Sequence, residues 1–201
     1  MQFLKPNDPR LREIAQKADP NSEDTQKIIK AMLKIAHGEQ KGKKKPIMVG
    51  LATPQIGISK RIILVDVKAD GKGKVGDPRI YINPEITWQS KRKGEWYEGC
   101  YSTGKICGIV SRPVSIRLQA FTMTPQGWKP KVERWTGYTA RIFQHEIDHL
   151  NGKVFISHIT NPDHLHIVEE KEFPLYRNKE AWRNWPKKAP LPLAIGNLKK
   201  V

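Results

Sequence analysis

The chain has 201 residues, of which 38% are hydrophobic and 28% charged; that is enough to build one core with room for an appended segment, and it excludes wholesale disorder. No apolar run approaches the roughly 18 residues that span a bilayer, and the start Met1-Gln2-Phe3-Leu4-Lys5-Pro6 lacks a secretory apolar region, so the expectation is a soluble, cytoplasmic protein with no membrane partner. A net charge of +16 favours polyanionic surroundings such as nucleic acid or the ribosome, and two cysteines are too few for a disulfide framework.

Asp8-Pro9 precedes Arg10-Leu11-Arg12, a short turn. Over 24–37, Ile28, Ile29, Met32, Leu33, Ile35 and Ala36 recur at helical spacing, and Gly38 is expected to end the helix. The four lysines of 39–46 predict a solvated loop. The apolar run 61–67 reads as a buried strand, 71–78 as a glycine-rich turn into Ile80-Tyr81-Ile82, and 114–121 with 128–135 as a hairpin closed by Thr124-Pro125-Gln126-Gly127. Ala140, Phe143, Ile147 and Leu150 mark a helix over 139–150 that Gly152 is placed to stop. Beyond 157 the pattern weakens, and 172–201 reads as a basic extension draped on the surface. The expected division is a catalytic domain at 1–160 and an extension at 161–201.

The late helix carries His145-Glu146-Ile147-Asp148-His149. Residues four apart share a helix face, so both imidazoles can reach one cation while Glu146 stands beside it as a base for water. A site with an open position needs a third ligand, and two residues offer one. Glu169 lies 20 residues after His149, as in a glutamate-ligated metalloprotease, and Cys100 lies upstream in Glu98-Gly99-Cys100-Tyr101-Ser102. Arg112 invites pairing with Glu98 or Asp148, which would fix the cysteine loop against the helix. Cys107 reads as a packed thiol outside the ligand set.

Three blocks in order resemble the peptide deformylase family: Gly50-Leu51-Ala52-Thr53-Pro54-Gln55, Glu98-Gly99-Cys100-Tyr101-Ser102 and Gln144-His145-Glu146-Ile147-Asp148-His149-Leu150. Lesser likenesses surround them at Asp8-Pro9-Arg10-Leu11-Arg12, Ile82-Asn83-Pro84-Glu85 and Gly152-Lys153-Val154-Phe155. The resemblance covers 1 to about 160. It implies an α+β fold of short antiparallel sheets around a central metal-binding helix, and removal of the formyl group from the initiator methionine of new polypeptides. It implies Cys100, His145 and His149 as ligands, and attack by metal-bound water with Glu146 as general base and acid. Gln55 and the Tyr101 backbone N–H would stabilise the oxyanion. Fe(II) is favoured, although a Cys-His-His set also accepts Zn(II) or Ni(II).

Five positions depart from the family pattern, namely Met48, Thr53, Tyr101 and the pair Thr103-Gly104; none removes a ligand, the base or Gln55. Val49, Tyr138 and Ile142 are candidates for the methionine pocket, and the Gly50 edge for pairing with peptide backbone. In the tail, Lys171, Arg177, Arg183, Lys187 and Lys188 alternate with Tyr176, Trp182 and Trp185, a pattern that would hold ribosomal RNA by phosphate contact and stacking.

Overall fold

The computed structural model describes residues 3–6, 8–41 and 48–189, with backbone alone for 39–41. Two antiparallel sheets enclose one helix. The larger has the strand order β1 (Gly50–Ala52), β2 (Ile62–Asp66), β3 (Pro78–Gln89), β6 (Ser115–Thr124), β7 (Gly127–Thr136). The smaller runs β4 (Lys93–Gly99), β5 (Ile106–Pro113), β8 (Leu165–Ile167). With α1 (Glu23–Lys41) and α2 (Gly137–Leu150), the architecture is α+β.

Strand β2 is buried on both faces, which is why its sequence is continuously apolar rather than alternating. Ile63 and Val65 face Ala140, Phe143, Ile147 and Leu150 of α2. Ile62 and Leu64 face Ile28, Ile29, Met32 and Ala36 of α1. Helix α1 runs through Gly38 to Lys41 instead of ending at Gly38. That glycine touches nothing, and an exposed glycine costs a helix only about 1 kcal/mol, too little to stop it. From 42 to 47 the expected lysine loop lies outside the described residues.

The β6–β7 hairpin closes through Pro125 and Gln126, with Gly127 at φ 89°. Helix α2 ends at Leu150, and Gly152 at φ 67° lies so close to the Arg12 carbonyl that a side chain would collide with it.

The C-terminal residues correct the surface-extension expectation. Strand β8 adds to β5, and α3 (Phe173–Tyr176) and α4 (Lys179–Arg183) follow it. Tyr176, Trp182 and Trp185 are buried with Cys107, Ile109 and Val168 against the smaller sheet. Those rings therefore cannot stack on RNA bases. The mixed composition of the segment concealed this layer, because its apolar residues follow neither helical nor strand period. Residues 190–201 lie outside the described residues.

Candidate metal centre

Cys100 sits where β4 ends, capping the short turn Tyr101–Thr103. Its Sγ accepts from the Gln55 Nε2 at 3.2 Å and lies 3.2 Å from His149 Nε2. His145 and His149 stand on successive turns of α2 with ring centroids 5.1 Å apart. One ligand atom from each of the three residues falls within 4.8 Å of the others. A soft thiolate and two imidazoles so placed suit a divalent transition metal. Burial alone would raise the Cys100 thiol, but His149 and His145 beside it bring it well below its ordinary value, which is the form a metal requires. Beside them Glu146 Oε2 is buried without a hydrogen-bond partner, so the site's polar atoms are incomplete as they stand. The residues fit a cation.

An ionic chain fixes the first histidine. His145 Nδ1 meets Glu98 Oε2 at 2.9 Å, leaving its other nitrogen toward the thiol. Glu98 takes a two-pronged bond from Arg112, Nε to Oε1 at 2.6 Å and Nη2 to Oε2 at 2.8 Å, while Arg112 Nη1 reaches Asp148 at 2.8 Å. Arg112 thus pairs with both carboxylates, not one, and ties β5 to β4 through Glu98 and to the helix through Asp148. Although burial works to raise Glu98, Arg112 and His145 hold it far below the usual carboxylate range. Asp148 continues to His158 at 2.8 Å.

Arg141 is part of the same chain and was missed in the sequence. It donates to Glu98 Oε1 at 2.7 Å and to the carbonyls of Val110 and Gly94. Its position one turn before His145 was the available signal, since residues four apart share a face.

Glu146 points away from the ionic chain, against Gly50. A side chain on Gly50 would overlap the Glu146 carboxylate and come within 2.9 Å of Ile142, so glycine is required for β1 to approach the helix this closely. Burial raises the Glu146 carboxyl to about 7. Val49 and Tyr138 pack against the cluster that contains Ile142, with the Tyr138 ring lying on Gly71.

Gln55 is buried in the turn Thr53–Ile56, and its Oε1 accepts from Ala52 N–H at 2.7 Å, which aims its Nε2 at the thiol. Tyr101 is 39% exposed at the rim and stacks on Phe3. Thr53 uses its hydroxyl to bind the carbonyls of Lys60 and Ile62, and Met48 is buried in the α1 core. Glu169, the alternative ligand, instead pairs with Lys105 at 2.9 Å, and the ligand cluster found among the described residues does not include it. Cys107 is buried in the aromatic layer, and burial pushes its thiol up to about 12.

Comparison with known proteins places the chain in a family. The polypeptide deformylase family model matches residues 1–164. A peptide deformylase of Prochlorococcus marinus (strain MIT 9515) is 33% identical over 162 residues, covering 81% of this chain and 74% of the relative. Among solved structures, a class I type b peptide deformylase from Acinetobacter baumannii with Met-Ala-Ser bound is similar at TM-score 0.68 and 30% identity, covering 79% of this chain and 98% of that one. A Plasmodium falciparum peptide deformylase in complex with an inhibitor is similar at TM-score 0.65 and 33% identity, covering 80% and 90%.

Proposed function

Since this chain belongs to the peptide deformylase family, we propose that it removes the formyl group from the methionine that begins nascent polypeptides, using one divalent cation held by Cys100, His145 and His149. The observation that carries the reading is the convergence of that thiol and two imidazoles beside a buried carboxylate with an unpartnered oxygen. When bound, the cation supplies a Lewis acid that acidifies water and polarises the formyl carbonyl.

The chain's own residues do the rest. A carboxyl near pH 7 is suited to accept a proton and return it; Glu146 takes the proton of the attacking water and delivers it to the departing amine nitrogen. Gln55 Nε2 and the Tyr101 N–H donate to the oxyanion as it forms, and the Ala52 bond to Gln55 Oε1 keeps that amide from turning over. Glu98 and Arg112 orient His145. Strand β1 is a sheet edge, so substrate backbone pairs along Gly50, and Ile142, Val49 and Tyr138 line the methionine pocket. The Tyr101 phenol at the rim alters which second residue is accepted.

Fe(II) is the favoured cation, with Zn(II) or Ni(II) as substitutes that the same ligands tolerate. Because a thiolate on ferrous iron is open to oxidation, the test is anaerobic. Formyl-Met-Ala-Ser should release formate in a sample whose bound metal is assayed alongside; metal-loaded protein that releases none overturns the reading.

We assign the work to the cytoplasm, where nascent chains emerge. We also propose that 161–201 extends a catalytic domain at 1–160, a reading supported by the end of the family match at 164. Lys171, Arg183, Lys187 and Lys188 are exposed on it and would contact ribosomal RNA through phosphates alone. Replacing Lys171 and Arg183 with Gln should weaken co-sedimentation with ribosomes; unchanged co-sedimentation removes that partner.

A further inference from the structure

The segment before the first turn touches both sides of the metal centre. Leu4 N–H donates to the Gln55 carbonyl at 2.8 Å, and the Leu4 side chain lies against Gly57, at the end of the Gln55 turn. Phe3 stacks on Tyr101 with ring centroids 4.4 Å apart and planes within 16°, while also packing on the cluster that holds Met48 and Ile56. Gln55 follows a strand of the larger sheet, and Tyr101 follows a strand of the smaller. Among the described residues no hydrogen-bonded ladder joins the two sheets, so strand pairing does not set the distance between these residues.

We propose that Phe3 and Leu4 form a strap that positions Gln55 and Tyr101 relative to each other; this rests on reading those two as the oxyanion donors. Leu4 holds one donor through the backbone and Phe3 holds the other through its ring, and adjacent residues are tied by a fixed Cα separation of about 3.8 Å. The strap thus adds a second tie beside the bond from Gln55 Nε2 to Cys100 Sγ at 3.2 Å, and it is the one that reaches Tyr101 itself through its ring. Its residues act through Gln55 and Tyr101 and are positioning residues. Donors loosened in this way weaken the transition state more than the bound ground state, so the loss belongs in kcat rather than KM.

Three Phe3 variants test this. Phe3→Ala should lower kcat for a formyl-methionyl tripeptide about tenfold, with KM within about twofold of the parent. Phe3→Tyr, which keeps a ring, should restore kcat; Phe3→Leu, which keeps apolar volume without a ring, should not. Amide hydrogen exchange gives a readout separate from turnover: residues 52–57 and 100–104 should exchange at least about fivefold faster in Phe3→Ala, with parent rates in Phe3→Tyr. Leu4→Pro, which removes the N–H, should accelerate 52–57 and leave 100–104 unchanged. Parental exchange at both segments in Phe3→Ala overturns the strap, as does full activity in Phe3→Leu or a loss confined to KM. If the metal-loaded parent releases no formate, the deformylase reading fails, and the exchange rates alone then decide the strap.

Discussion

The metal helix holds a partly buried histidine, His145, and the C-terminal layer a fully buried one, His166, and the two are treated in opposite ways. His145 leans on Glu98, whose charge is shared by Arg112 and Arg141; against the pull of burial, the Cys100 and Glu98 contacts raise His145 well above its ordinary value. His166 meets no carboxylate: its ring nitrogens face the Tyr176 hydroxyl at 2.7 Å, the Asp163 carbonyl at 2.8 Å and the Lys188 ammonium at 3.1 Å, amid the rings of Tyr176 and Trp185. Burial, with Lys188 nearby, lowers it to about 4. Buried ion pairs stabilise a fold little, because desolvation offsets their attraction. On the proposed function, the chain through Glu98 therefore serves to hold His145 in place, whereas the aromatic layer buries area.

The contrast can be broken from either side. On the metal side, Glu146→Gln should reduce formate release by about 10²- to 10⁴-fold while leaving bound metal, measured per chain, unchanged; metal loss in that variant would show Glu146 to be a ligand rather than a base. In the other layer, Trp182→Ala should cost about 3–5 kcal/mol in chemical denaturation, because it empties a buried site and frees the Tyr176 carbonyl that the indole N–H binds. At temperatures where that variant is folded, its kcat/KM should match the parent within about twofold. A smaller effect should follow Glu98→Gln, which removes the charge behind His145: metal affinity, read by competition with a chelator, should fall about 10- to 100-fold. A Glu98→Gln protein with parental affinity would mean that the ionic chain serves stability after all.

The two regions also differed in how far the sequence revealed them. His145 and His149 were legible because helical period places them on one face, and β2 because it is uniformly apolar. The third ligand was not settled by spacing, since Cys100 and Glu169 were both chemically suitable, and only the fold shows Glu169 bound to Lys105. Strands β4 and β5 escaped notice because Lys93, Glu95 and Glu98 interrupt the apolar pattern of one, and Gly108 and Arg112 that of the other; Glu98 and Arg112 turn inward to each other as a pair that no single-strand period predicts. The aromatic layer was missed for a related reason. Tyr176, Trp182 and Trp185 are buried one by one from short helices and a loop, and segments this short have too few residues to display a period.

The mildest perturbation is a change of pH, and it separates the two histidines without mutation. His166 has a folded value of about 4 against an ordinary 6.5, so between those values the unfolded chain binds more protons than the folded one. Stability from this site is then fully present above about pH 6.5 and is lost as pH falls toward 4, by an amount of order 2–3 kcal/mol. The surroundings explain the sign: the ring nitrogens face the Tyr176 hydroxyl, the Asp163 carbonyl and Lys188 Nζ but no carboxylate, so a proton added to the neutral ring sets a second charge beside Lys188 without a partner of opposite sign. Denaturation midpoints at pH 7.5, 6 and 5 should therefore decline in the parent and decline less in His166→Gln. Parallel curves would assign the acid sensitivity to another group and leave the aromatic layer indifferent to protons.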